Sequence, residues 1–173
     1  SYSPSWPSLM PSRHAYAHEA HAARGFAIAS GAPAIGVSSL EAVAQGAARA
    51  SLAHCPILCV LDTRRADYFA QIFDVVGTAL GEPRVMVAKD LFKLMGSLQP
   101  VLAGNAVSRL LLGYDGDPDT VRRMPGAGNP DPIDVAAIAE TIHSKVGVAQ
   151  NTLSPLYLRA PEAKLPANGG RLK

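Results

Sequence analysis

Three histidines near the start of the chain could do metal chemistry. His14, His18 and His21 stand at i, i+4 and i+7, so a helix would carry them on one face, where they could chelate a metal ion. No acidic or cysteine partner is marked by spacing elsewhere, and HEAH at 18–21 is not the HExxH zinc motif because its histidines are only three apart. We therefore expect exposed imidazoles on an alanine-rich helix, with no metal site.

Two further groups stand where α/β proteins place functional residues. Asp62 ends an apolar run and precedes Arg64 and Arg65, a position that often holds a catalytic acid. No second carboxylate or nucleophile lies at a definable distance, which favours a capped turn with solvated arginines. Gly104 and Asn105 precede a predicted helix whose free N–H groups could hold an anion, but phosphate-loop and dinucleotide motifs are absent from the sequence. The sequence thus predicts neither catalytic residues nor a cofactor.

The composition excludes several classes of protein. Of the 173 residues, 48% are apolar and 17% charged, as in a globular protein rather than a disordered one. A net charge of +2 with scattered basic residues disfavours direct binding of nucleic acid. No apolar run approaches the roughly 20 residues that span a bilayer, and no signal-peptide pattern is found, so we expect a cytoplasmic protein. Cys55 and Cys59 are too few for a zinc site, which favours buried free thiols.

Apolar periodicity and turn residues divide the chain into alternating helices and strands, which predicts an α/β protein. Serine and proline crowd the first residues, which we expect to be irregular, and two prolines bracket a strand-like segment at Leu156–Leu158. Ser38 or Ser39 is predicted to cap the second helix. The predicted helices cover 14–30, 39–51, 89–98, 106–112 and 133–146, and the predicted strands cover 34–37, 56–63, 68–73 and 100–103, with a hairpin between the second and third strands and a loop over 115–132.

Four segments occur in the order and register of the motifs of one known family. They are AARGFAIASGAPAIGVSSLEAVAQGAA (22–48), PILCVLDTRRADYFAQIFD (56–74), GEPRVM followed by VLAGNA, and PLYLRAPEAKLP near the end. Over about residues 22–166 the chain therefore resembles the TsaB family, whose members were long described as glycoprotease-like or peptidase M22-like. That family is the non-catalytic partner in bacterial threonylcarbamoyladenosine modification of tRNA.

The resemblance implies an actin-like ATPase or ribonuclease-H-like fold, built from two small α/β lobes. Family members open with an acidic strand, two further strands and a GPGSFTGLR loop, which residues 1–20 do not match. The expected organisation is therefore an irregular segment over 1–20, the remainder of an N-terminally truncated first lobe over 21–80, and a second lobe over 81–173. An unpaired strand edge is expected to favour association with another chain.

The resemblance also implies a scaffolding role. A TsaB subunit packs its first two helices against a TsaD catalytic subunit, a TsaE ATPase joins the assembly, and tRNA is contacted only indirectly. Small alanines would let helices approach closely, while larger side chains supply apolar contact, and the same surface could form a homodimer. The predicted interface residues are Ala23, Phe26, Ala27, Leu40, Ala44 and Ala47.

Other interpretations stay open at this point. The same helices could face the chain's own sheet, as amphipathic helices usually do. The older family name implies a metal-dependent glycopeptidase, which requires metal ligands or a nucleophile. A remnant that no longer binds the partner is the third possibility.

Overall fold

The computed structural model describes residues 13–50, 55–146 and 158, with 13–21 and 146 described by their backbone alone. Most of the predicted C-terminal strand, Leu156–Leu158, lies outside these residues, and Leu158 itself is half-buried without regular structure. The helices are α1 Arg13–Ser30, α2 Ser39–Ala50, α3 Ala88–Leu98, α4 Val107–Leu111 and α5 Pro132–Val146, and the strands are β1 Ile57–Asp62, β2 Asp67–Phe73, β3 Arg84–Val87 and β4 Val101–Ala103.

The strands form one four-stranded mixed sheet in the order β3-β2-β1-β4. β1 and β2 form the predicted antiparallel hairpin, in which Ile57 pairs with Phe73 and Asp62 with Tyr68. β4 runs parallel to β1, as expected for strands joined through a helix, and β3 is antiparallel to β2. The predicted boundary between lobes at 80/81 falls within this sheet, because β1 and β2 precede it and β3 and β4 follow it.

Side chains alternate across β1 and supply two apolar layers. Ile57 and Cys59 face α2, while Leu58 and Val60 face α3 and α4. The helical residues that cover the α2 side are Leu40, Val43, Ala44 and Ala47, and those that cover the other side are Leu91, Met95, Val107, Leu110 and Leu111. The sheet is thus covered by helices on both faces, an α/β arrangement.

Local signals account for the start of α2. The Leu40 N–H donates to Ser38 Oγ at 3.3 Å, and the Ser38 N–H donates to Glu41 Oε2 at 3.3 Å. This reciprocal pair is a capping box, which satisfies N–H groups that the first helical turn leaves unpaired. It confirms the predicted cap and identifies Ser38 as the capping residue.

The predicted strand at 34–37 is wrong, because residues 31–38 are irregular in the structure. A strand needs a neighbour for its backbone groups, and none of the four strands of the sheet comes from this segment. Conversely, β3 was missed, although Pro83 followed by the run Arg84–Val87 has strand-like composition. No helix in residues 13–50 and 55–146 is long and apolar enough to cross a bilayer.

The two edges of the sheet differ. Beside β4, the Leu102 N–H donates to Arg122 O at 2.9 Å and the Met124 N–H donates to Leu102 O at 2.9 Å, so the loop at 122–124 runs along that edge. At the opposite edge, β3 pairs only with β2 within the described part of the chain. One edge is therefore covered by a loop, and the other is left open by the residues that the structure describes.

Candidate functional site

A cluster of polar side chains surrounds the carboxyl end of β1, where the sequence marked Asp62. We call this region, residues 62–68 with Asn105 and Arg109, the β1 corner. Arg109 of α4 forms an ion pair with Asp62 at 3.1 Å, and its guanidinium lies over the Tyr68 ring, 4.1 Å from the centroid. Asn105 Oδ1 accepts a hydrogen bond from the Asp62 N–H at 2.9 Å. The two groups that the sequence marked separately, around Asp62 and around Asn105, thus meet at one site.

Arg109 also fixes the turn between β1 and β2. Its guanidinium donates to the carbonyl of Arg65 and, at 2.9 Å, to the carbonyl of Asp67. Its Nε is buried and has no hydrogen-bond partner among the described residues. Sequence reasoning missed Arg109 because its partners lie 42 and 44 residues away along the chain, beyond the reach of any local motif.

The turn itself is a capped turn, as predicted. Asp62 Oδ1 accepts from the Arg64 N–H at 2.7 Å, and Thr63 Oγ1 donates to the backbone carbonyl of Asp67 at 2.7 Å. Arg64 adopts a left-handed backbone with φ of 59°, a conformation that glycine or asparagine usually supplies. The expectation of solvated arginines also holds for Arg64 and Arg65, which are both exposed.

The strand-to-helix step at Gly104 has a packing role. The Gly104 N–H donates to Ala127 O at 2.7 Å, and the Ala106 N–H donates to Val60 O at 3.2 Å. A Cβ at Gly104 would lie 2.1 Å from the Val60 carbonyl oxygen, and φ is +116°, so only glycine fits. Because these N–H groups donate to carbonyls of the chain itself, they are not available for the anion site that was considered from the sequence.

A cavity of about 220 Å³ lies between α2, the start of α5 and the loop at 125–131. At its wall the buried Asp134 carboxylate accepts from Arg49 Nη2 at 3.1 Å, and the Arg49 side chain is 56% exposed. A Cβ at Gly46 would lie 2.8 Å from Asp134 Oδ2, so the glycine leaves room for the carboxylate. This pair joins α2 to α5 and gives the buried charge a partner.

The six predicted interface residues divide between two environments. Leu40, Ala44 and Ala47 of α2 are buried at 4%, 0% and 0% exposure against the chain's own sheet. Ala23 and Phe26 of α1 are exposed, and Ala27 is partly buried. The three α2 residues therefore pack against the chain's own sheet, which is the alternative that the sequence left open. Of the six predicted interface residues, the exposed ones lie on α1.

The remaining candidates concern metals and thiols. The three histidines lie on α1 as predicted, but their side chains lie outside the described set. No group of three His, Cys, Asp or Glu residues within the described ranges could hold a metal ion. Both cysteines are free, Cys59 buried and Cys55 partly buried, and burial raises the pKa of the Cys59 thiol from 9.0 to about 12.

Solved structures share the fold. No protein family and no curated protein matches the sequence. An uncharacterized protein with similarity to peptidase YeaZ, from Pseudomonas aeruginosa, superposes with a TM-score of 0.66 at 17% identity, over 86% of this chain and 69% of that one. YeaZ (TsaB) from the same organism superposes with a TM-score of 0.67 at 17% identity, over 85% and 69% of the two chains. The chain therefore shares the α/β fold of these two structures, in agreement with the predicted fold class.

Proposed function

We propose that the chain is a non-catalytic scaffold subunit in threonylcarbamoyladenosine modification of tRNA, which binds a TsaD-like catalytic subunit through α1. The YeaZ-like fold and the ordered sequence motifs support this role. The observation that carries the proposal is the exposure of two large apolar side chains on α1. In this proposal a TsaE-like ATPase joins the assembly in the cytoplasm, and tRNA is contacted through the other subunits.

The two large apolar side chains in residues 22–30 of α1 are left uncovered by the rest of the described chain. Phe26 is 77% exposed and Ile28 is 84% exposed. Over residues 22–30 only Ala27 is even partly buried. A helix with so little packing is marginally stable in water, since most helical stability in proteins comes from burying an apolar face. A covering partner would stabilise α1 as well as bind to it.

The direction of these side chains defines the surface that a partner would meet. Successive residues in a helix turn by about 100°, so Phe26 and Ile28 project from nearly opposite sides of α1. The alanines at 22, 23 and 27 surround Phe26 and keep that side of the helix thin. A partner helix could approach closely there, with Phe26 as the anchor at its centre.

Binding measurements with matched aspartate variants test the proposal. Phe26→Asp should weaken binding to a TsaD-like subunit by about tenfold or more, the loss expected for a buried apolar anchor, whereas Ile28→Asp, on the opposite side of α1, should weaken it less. Leu112→Asp is the matched control, because Leu112 is an equally exposed apolar residue, at 88%, on a different helix, the end of α4. Titration calorimetry gives the affinities, and the melting temperature checks that each variant folds.

Two results would contradict the scaffold proposal. Wild-type chain that forms no complex at micromolar concentration would leave the truncated-remnant interpretation in its place. An equal loss of affinity for Leu112→Asp and Phe26→Asp would show that binding does not use α1.

Sedimentation of the chain alone also tests whether α1 pairs with a second copy, in which case Phe26→Asp should shift the dimer toward monomer.

The metal-dependent glycopeptidase is tested separately. It needs metal ligands or an activated nucleophile, which are drawn from residues such as His, Cys, Asp and Glu. Elemental analysis of the purified chain and a peptidase assay measure these directly. Stoichiometric zinc or iron together with hydrolysis would replace the scaffold role with an enzymatic one.

A further inference from the structure

We propose that two copies of the chain pair antiparallel through β3 and thereby join their sheets into one. β3 is the outer strand at the open edge, with β2 as its one neighbour among the described strands. The outward N–H and C=O groups of an edge strand have no partner in their own sheet, so a second strand can bind them. This pairing does not involve α1 and is independent of the proposed function.

The open stretch of β3 consists of three apolar residues, Val85, Met86 and Val87. On one side it is preceded by Pro83, which has no N–H to donate, and by the exposed and charged Arg84. On the other side α3 begins with the next residue. A second strand can therefore pair with β3 over these three residues.

Both faces of this stretch are apolar. Val85 pairs with Phe69, which packs against the core cluster under α2, and Met86 pairs with Tyr68 of the cluster under α3. Val85 and Met86 are partly buried, whereas Val87 is 50% exposed. Val87 therefore carries apolar surface that a neighbouring strand would cover.

Symmetry restricts the register of two identical strands. Such an antiparallel pair has a two-fold axis perpendicular to the sheet, which keeps each face continuous from one copy to the other. Residues directly opposite each other then share a face, so their numbers differ by an even amount. With Met86 on the axis, Val85 lies opposite Val87 of the second copy, and Val87 lies opposite Val85 of the second copy. All three opposite pairs are then apolar, and such pairs stabilise a sheet.

The two adjacent registers pair less well. With Val85 on the axis, Arg84 would lie opposite Met86 of the second copy, so a charge would face an apolar side chain. With Val87 on the axis, Val85 would lie opposite Lys89 of the second copy, which already belongs to α3. The register centred on Met86 is thus the one that uses the whole open stretch.

Charge complementarity favours a second copy over an unrelated strand. Arg84 lies on the same face as Met86, the side that α3 covers, and it has no hydrogen-bond or ion-pair partner among the described residues. In the register centred on Met86, it stands beside the first turn of α3 of the second copy, where Asp90 is the acidic residue. Asp90 is exposed and pairs with Lys93 at 3.1 Å within its own helix. The two-fold axis forms the contact between Arg84 and Asp90 twice, so one chain carries both halves of a complementary surface.

Sedimentation of the purified chain over a concentration series tests the pairing. An edge with three open residues buries less than a standard interface, so we expect the dimer at chain concentrations of roughly 0.1–1 mM. Val87→Lys places a charge on the edge and should weaken the dimer by about tenfold or more. Val76→Lys is the matched control and should leave the dimer unchanged, because Val76 is 64% exposed in the turn after β2, outside the edge strand.

A charge exchange tests whether the occupant is a second copy. Arg84→Glu and Asp90→Arg each place like charges across the axis twice, so each variant alone should pair about tenfold more weakly than wild type. An equimolar mixture of the two variants should recover the dimer, because each mixed pair restores both opposite-charge contacts. A mixture that associates no more than the separate variants would overturn the proposal.

Other results would also overturn it. The wild-type chain could remain monomeric at about 1 mM. The melting temperature of Val87→Lys could fall by more than about 5 °C at concentrations where the wild-type chain is monomeric, which would mean that the chain itself covers the edge. A dimer that is lost in Phe26→Asp but kept in Val87→Lys would assign the pairing to α1 instead of β3.

Discussion

Helices α1 and α2 are both rich in alanine, but the fold treats them in opposite ways. In α2, Ala44 and Ala47 are fully buried against the sheet. In α1, Phe26 and Ile28 are among the most exposed apolar side chains of the described chain. Residue type alone therefore does not decide which helix belongs to the core, since α1 also carries large apolar side chains and leaves them exposed.

Spacing explains the difference. Leu40, Val43, Ala44 and Ala47 stand at i, i+3, i+4 and i+7, which forms one continuous apolar stripe that can lie flat on a sheet. Phe26 and Ile28 stand at i and i+2, so no single surface of the chain could bury both. A helix with one apolar stripe can bury it against the sheet of its own domain. A helix with apolar residues on opposite sides needs additional contacts to bury them all.

Two phenylalanines should give the largest contrast between these regions. Phe73 of β2 is fully buried beneath α2, so Phe73→Ala should lower the free energy of unfolding by about 3–5 kcal/mol through lost burial and a cavity. Phe26→Ala removes the same side chain from the exposed α1 and should change it by at most about 0.5 kcal/mol. Urea denaturation of the isolated chain measures both.

A large loss for Phe26→Ala in the isolated chain would contradict the comparison. It would mean that α1 is packed against the chain in solution and is not available to a partner.

Alkaline pH should destabilise the core beneath α2 through Cys59. Because burial raises its pKa from 9.0 to about 12, the unfolded chain loses this proton before the folded chain does as the pH rises. The contribution is fully present below pH 9 and is lost between pH 9 and 12, by up to about 1.4 kcal/mol per pH unit. Urea denaturation at pH 8.5 and 10 should show a smaller decrease for Cys59→Ala than for wild type.

Cys55→Ala serves as the control for this titration, since Cys55 is only partly buried. It should retain the pH dependence of the wild-type chain. Equal pH dependence in the Cys59→Ala variant would show that other groups cause the alkaline effect.

Two glycines should give the smallest effects, with opposite signs. Gly25→Ala in α1 meets open space and should stabilise the chain by about 0.5–1 kcal/mol through helix propensity. Gly46→Ala in α2 gains the same propensity, but its methyl group would press on Asp134, so we expect a net loss of about 1 kcal/mol. Thermal unfolding of the two variants in parallel checks the signs, and a stabilised Gly46→Ala would mean that α5 moves away freely.

The sequence predicted the fold where local patterns were complete. The hairpin of β1 and β2, the cap at Ser38 and the helix α5 are all confirmed, because each has an apolar run bounded by turn or capping residues. The segment 34–37 had strand-like residues without a neighbouring strand, and β3 was too short and too exposed to stand out. Whether each of these two segments forms a strand depends on pairing with a neighbouring strand, and that strand can lie far away in the sequence.

The site was predicted only in part for the same reason. Asp62 and Asn105 were marked from their positions after strands, and in the structure the Asp62 N–H donates a hydrogen bond to Asn105 Oδ1 at 2.9 Å. Arg109 and Asp134 carried no local signal, because each acquires its role from partners on other elements. The partner surface of α2 was predicted from its alanines, which instead permit close packing on the sheet.

The unequal edges of the sheet limit how copies of this chain could join. With the loop at 122–124 bound along β4, an incoming strand finds open backbone groups only beside β3 in the described chain. Strand addition at the edge that the described residues leave open would therefore join two molecules and then stop, giving a pair and not a growing fibril.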